Sequence, residues 1–245
     1  MHLLRRKKIT EEHIFGKWLK DHISNEDKKI TPLLSRPEKL AFWKESIFHT
    51  ERLHSVKPFD AKVPNVCSDC NNVWMSQLHT AAKHLIVALA RGEWPAISNA
   101  DCEIIARWAM MISINLECFG RILQTTQQQR TLLMNGKTPP GFRLSIGRMT
   151  DQTCSGSYFY RPLMVPIEIE DGEFVKIQST YFCIENIAFH TLTSQSNITL
   201  EAGLTSAGIT EAHVPVMLWP KMDFKEINTR VCRAALEKLQ GLFEK

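Results

Sequence analysis

The chain has 245 residues, 44% of them apolar and 23% charged, and a net charge of +4. The length suffices for one large domain or two small ones around a real hydrophobic core, and the composition is that of a soluble globular protein. A bilayer span is excluded, because the longest apolar stretch, IIARWAMMISINLECFG, is short and interrupted by Arg107, Asn115 and Glu117; the charge is too small to argue for nucleic acid by itself.

At the amino terminus, the basic cluster Arg5 to Lys8 reads either as a solvated end or as a phosphate contact. A short strand or loop follows, then a helix from about Glu12 to His22. Residues 26–62 are polar and punctuated by Pro32, Pro37 and Pro58, with a short helix near EKLAFWKES and a strand near IFHTERLHSV. From Asn71 the pattern turns helical: Trp74, Leu78, Ala81, Leu85 and Leu89 form one stripe, which Gly92 and Pro95 stop. A second helix, apolar on most sides, begins after Ser98 and Asn99. It ends near Gly120 or runs on into RILQTTQQQRTLL.

The break TPPGF at 138–142 changes the character of the chain. FRLSIGRM and SYFYRPLMVPIEIE favour strands, Asp171-Gly172 signals a hairpin into EFVKIQS, and STYFCIENIAFHTL adds another strand. A last helix starts at Asp223, with Glu226 resembling a capping-box partner and a stripe of Ile227, Val231, Ala235, Leu239 and Leu242. The predicted class is α+β, with a small amino-terminal unit over residues 1–95 joined to a helical and β-rich body over residues 96–245.

Seven cysteines are present, an odd number with no regular framework, and the amino terminus is basic without an apolar run. The expectation is a cytoplasmic protein without a signal peptide, its thiols mostly reduced. Cys67 and Cys70 form a Cys-x-x-Cys turn, which lets two thiolates reach one metal; a structural zinc needs four ligands. The alternatives are two thiols in a turn or a redox pair, although no thioredoxin-like strand-then-helix pattern surrounds them. Glu12 and His13 set a hard oxygen ligand beside an imidazole able to take a proton from water. Taken alone, such a pair at a helix start is usually just surface. His79 and His84 are five apart, poor spacing for shared ligation, and read as surface or partly buried groups, as do His49 and His54. Trp18, Trp43, Trp74 and Trp108 read as core anchors.

Together the two fragments resemble the HNH endonuclease family, in a branch with an E-H-[V/I]-F-x-x-W-L segment and a later C-x-x-C-N-N-G-W-M-S segment. The first is carried by Glu12, His13, Ile14, Phe15, Trp18 and Leu19. The second is carried by Cys67, Cys70, Asn71, Asn72, Trp74, Met75 and Ser76. The match covers roughly the first third of the chain. The resemblance implies a ββα-metal unit with one divalent metal, magnesium or manganese, and hydrolysis of phosphodiester bonds in DNA. It implies Glu12 as a metal ligand, His13 as general base, Asn71 or Asn72 as the final ligand, and Asn65 as the residue that ties the loop and orients the histidine. Cys67 and Cys70 would hold half of a structural zinc site and fix where the helix begins.

Three departures stand against the family pattern. The second Cys-x-x-Cys expected upstream is absent, where the chain reads MHLLRRKK. Gly16 stands where proline is common, and Val73 replaces the glycine of the second segment. They keep a second hypothesis open: a catalytically degenerate HNH-fold module that binds nucleic acid or protein. A third is a redox-responsive interaction protein using Cys67 and Cys70. DNA is the expected partner, a membrane is not, and a protein partner or a homodimer is compatible with the pattern.

Overall fold

The computed structural model of the protein describes residues 9–23, 33–37, 48–52, 57–120, 124–149, 155, 158–168, 174–200, 216–219 and 230–231. Strand β1 (Ile9–His13) pairs antiparallel with a strand more than fifty residues on, Lys62–Cys67. In chain order β2 (Leu33–Pro37) and β3 (Phe48–Arg52) lie between them, so Lys62–Cys67 is β4. A π-helical turn, Cys70–Met75, leads from β4 into α1 (Ser76–Ala90). Then come α2 (Asn99–Gly120), α3 (Gln127–Met134), β5 (Phe142–Met149), β6 (Tyr158–Glu168), β7 (Phe174–Ile184), β8 (Ile187–Ser194), β9 (Val216–Trp219) and β10 (Arg230–Val231).

The fold is mixed α and β, with helices beside largely antiparallel sheets. Eight strands among the described residues make the larger sheet, in the order β10-β5-β8-β7-β6-β2-β3, with β9 also on β5. Its centre is buried on both faces, and every residue of β8 is buried. Cross-strand pairs lock the register of β7 on β8: Phe182 stacks on Phe189 and Tyr181 on His190, with ring centroids 4.6 and 3.9 Å apart. Burial alone pushes the His190 imidazole down to about 3, so it stays neutral, and its Nε2 meets Ser179 Oγ at 3.0 Å.

Helix α2 covers this sheet. Trp108, with no exposed surface, packs its indole on Phe182 and Phe189. The Ser113 hydroxyl meets Thr191 Oγ1 at 2.6 Å, so polar atoms on the covered face are matched across the layers. One apolar cluster runs from Ile14, Phe15 and Leu19 through Leu85 and Leu89 of α1 to Phe182 and Phe189.

Several predicted elements differ in detail. Glu12 to His13 is strand, and only Lys17–His22 turns, as a 3-10 segment. Gly16 carries an extended ψ of 133°, which breaks any helix there. On α1 Ala82, not Ala81, faces the core. Gly92, at a φ of +82°, ends α1 as expected. The RILQTTQQQRTLL segment does not prolong α2: Thr126 and Gln129 form a capping box that starts α3 afresh. Chain 174–194 makes two strands, reversed at Glu185–Asn186, where Glu185 takes a φ of 47°. Arg230–Val231, inside the predicted last helix, is extended and pairs with β5; the rest of that helix, the EKLAFWKES segment, Trp43 and the Arg5 to Lys8 cluster lie outside the described residues. No described helix is long and apolar enough to cross a membrane.

Helix α2 is joined to α3 through a buried carboxylate. Glu117 accepts hydrogen bonds from the Thr125 backbone N–H, 3.0 Å to one oxygen and 3.2 Å to the other, and from the Thr125 hydroxyl. Burial raises its pKa from 4.5 to about 7, against the lowering effect of those bonds and of Arg130. The folded carboxyl therefore holds its proton more tightly than the unfolded one. Its contribution to stability is full below the unfolded pKa of about 4.5 and is lost as pH rises through about 7. The expected loss across that window is on the order of 3 kcal/mol. Urea unfolding from pH 4.5 to 8 measures it, and Glu117→Gln should flatten that part of the profile.

Candidate active site

The site begins at a defect in a two-stranded ladder. Thr10 opposes Val66 and Glu12 opposes Val63, so Pro64 and Asn65 together face Glu11. That is a β-bulge, and proline, which has no N–H to give the ladder, sits in it. Along β1 the side chains alternate: Glu12 faces inward and is 8% exposed, while Glu11 points to solvent and pairs with Lys62 at 3.2 Å.

Asn71, on the π-helical turn, closes the gap between strand and helix. Its Nδ2 donates to Thr10 Oγ1 at 3.2 Å and to the Glu11 carbonyl at 3.4 Å. The Thr10 hydroxyl already donates to the Val66 carbonyl at 3.0 Å, so towards Asn71 it accepts. Both contacts thus demand the amide nitrogen, and the carbonyl oxygen takes part in neither. π-Helical turns widen a helix at such points, often beside functional sites.

A cavity of about 480 Å³ opens between strand and helix, lined by Glu12, His13, Asn71, Asn72, Lys17 and Lys83 among others. Four of the residues singled out from the sequence therefore share one recess. Partial burial lowers the pKa of His13 below its ordinary value, and Lys62, its partner across the ladder, adds to that effect; Glu12 opposes it. Ile14, Phe15 and Leu19, all fully buried, fasten the segment from behind. The Phe15 ring lies 5.4 Å from Phe59 and 5.7 Å from Phe182.

His79, read from the sequence as a surface or partly buried group, is instead part of the site. It is 8% exposed and lines the same cavity. The indole N–H groups of Trp18 and Trp108 both donate to its Nδ1, at 3.2 and 3.1 Å. Its Nε2 lies 3.5 Å from Glu12 Oε1. A periodic signal was available: Asn72, Ser76, His79, Thr80 and Lys83 recur at helical spacing and all line the recess. His84, tested against His79 for shared ligation, is exposed on another side.

Gly16 has a steric reason. A Cβ there would lie 2.3 Å from Trp18 Nε1 and 2.8 Å from His79 Cε1. The glycine is the space that lets indole and imidazole meet.

Asn65 sits in the bulge, and its side chain lies outside what the structure describes. Cys67 and Cys70 bring their sulfurs to 2.7 Å, and the Cys70 backbone N–H donates to Cys67 Sγ at 3.2 Å. Among the described residues no group of three or more His, Cys, Asp or Glu side chains is gathered as a metal cage. Two cysteines alone fall short of the four ligands that a structural zinc takes. Around the recess of Glu12 and His13 the donors are a carboxylate, two imidazoles and side-chain amides; its carboxylate and amide oxygens suit magnesium or manganese, which retain several waters.

No protein-family model matches the chain, and no curated protein or solved structure matches it.

The φ of −55° at Gly16 suits any residue, so Gly16→Ala tests sterics alone. The expected result is a loss of about 1–3 kcal/mol in chemical denaturation, as for overpacked cores, with a displaced Trp18 indole N–H resonance in the NMR spectrum.

Proposed function

We propose that this protein is a metal-dependent endonuclease of the HNH type that hydrolyses phosphodiester bonds in DNA. The observation that carries the reading is the meeting of Glu12, His13 and Asn71 in one recess, although the last is nearly sixty residues from the first two. In this reading the water oxygen attacks phosphorus, His13 takes the proton from that water, the P–O3′ bond breaks, and the leaving O3′ takes a proton from solvent water. The products carry 5′-phosphate and 3′-hydroxyl ends, as the family resemblance implies. The lowered pKa of His13 keeps its imidazole neutral and ready to accept a proton near neutral pH. Glu12 and the Asn71 carbonyl oxygen, with Asn72 beside them, are the oxygen donors for a divalent cation. Such a cation, when bound, neutralises charge on the phosphate and the leaving oxygen. Lys17 and Lys83 line the recess and suit the DNA backbone.

A second reading, a catalytically degenerate module that binds DNA or protein, is favoured by one observation: among the described residues no three His, Cys, Asp or Glu side chains are arranged so that they could hold a metal ion. The two readings part in a plasmid-nicking assay with magnesium or manganese. The nuclease converts supercoiled to open-circular DNA, EDTA stops it, and His13→Ala slows it by about 10²–10⁴-fold. Salt-sensitive retention of DNA without nicking supports the binding module, and equal cutting by His13→Ala removes His13 from the chemistry.

A further inference from the structure

The geometry points to His79 as the positioning residue of Glu12: an Nε2–H donor, fixed in its tautomer by two tryptophans, that aims the carboxylate into the recess without touching a cation itself. The inference rests on the reading of Glu12 as a cation ligand.

The tautomer follows from donor chemistry. An indole N–H only donates. Trp18 and Trp108 both aim theirs at Nδ1, at 3.2 and 3.1 Å, from opposite segments of the chain. Nδ1 must therefore offer its lone pair, and the single N–H of the neutral ring sits on Nε2. That atom is buried and has no formed hydrogen bond. The acceptor it faces is Glu12 Oε1, at 3.5 Å, a few tenths of an ångström beyond a good bond. A buried donor without a partner is costly, so the carboxylate that completes it is held toward the imidazole.

The same geometry rules His79 out as a ligand. Ligation through Nε2 would move the proton to Nδ1, where three N–H groups would then converge head-on. Gly16 supplies an independent observation: a Cβ at that position would lie 2.8 Å from His79 Cε1 and 2.3 Å from Trp18 Nε1. The chain keeps room for this ring where a proline is common in the family it resembles.

Two side chains separate the roles. Glutamine at position 79 can bring an amide N–H to the place of Nε2; asparagine is too short to reach Glu12. Manganese affinity is read by the free Mn²⁺ signal in electron paramagnetic resonance. His79→Gln should bind within about threefold of wild type, and His79→Asn about 10–100-fold more weakly, the range for losing a residue that orients a ligand. Equal affinities in all three proteins, or equal losses in both variants, overturn the inference. A metal-free measurement stands beside it: ¹⁵N-labelled histidine in the intact wild-type protein should show the His79 proton on Nε2, and Glu12→Gln should shift that signal. A proton on Nδ1, or a signal indifferent to Glu12→Gln, also overturns it. Wild type that binds no Mn²⁺ while the Nε2–H signal still responds to Glu12→Gln sinks the cation reading and leaves the His79–Glu12 contact standing.

Discussion

One nitrogen atom holds the candidate site together. Nδ1 of His79 receives N–H groups from Trp18, which follows β1, and from Trp108 of α2, while its own ring belongs to α1. Three segments distant in sequence are thereby referred to a single buried point. A buried imidazole nitrogen facing hydrocarbon alone would be costly; facing two donors, it is satisfied and its ring is immobilised. Everything on the cavity side of that ring, Glu12 first, inherits a fixed frame from it.

The frame is rigid because it is continuous with the main core. Phe15 lies two residues after His13 and packs on Phe59, Tyr158 and Phe182. Trp108 packs on Phe182 and Phe189 while its N–H serves His79. The indole therefore works at both ends, as an apolar plate against the sheet and as a polar handle toward the site. The exposed part of the site, by contrast, is built from a bulge and a π-helical turn. Both are local departures from regular hydrogen bonding that re-aim side chains.

Much of this was legible in the letters, for identifiable reasons. The Glu12-His13 pair and the Asn71-Asn72 pair were found as motif letters, and the structure brings all four to one recess. The strand FRLSIGRM announces itself by following the TPPG break, and the end of α1 at Gly92 by a glycine at positive φ. Glu12 to His22 misled, because Ile14, Phe15, Trp18 and Leu19 have helical spacing. A strand, a bend and a 3-10 turn direct the same four positions inward, three buried and Trp18 half-buried, and only the partner β4 decides between them. The turn at Glu185–Asn186 was hidden because it uses no glycine. His79 was hidden because a lone histidine on a helix says nothing until the two donors that face it are known. Gly16 was noted as a departure; its purpose needed the positions of Trp18 and His79.

The clasp of Asn71 on Thr10 spans 61 positions, and so does that of Trp18 on His79. The recess needs elements far apart in sequence: one wall is β1 held on β4, the other is α1, and the backing comes from α2 and the large sheet. Contacts this distant carry the entropic cost of closing the intervening chain. The pocket is thus a product of tertiary closure and of no single element. A chain that stops short of α1 carries the letters of Glu12 and His13 without the wall that faces them.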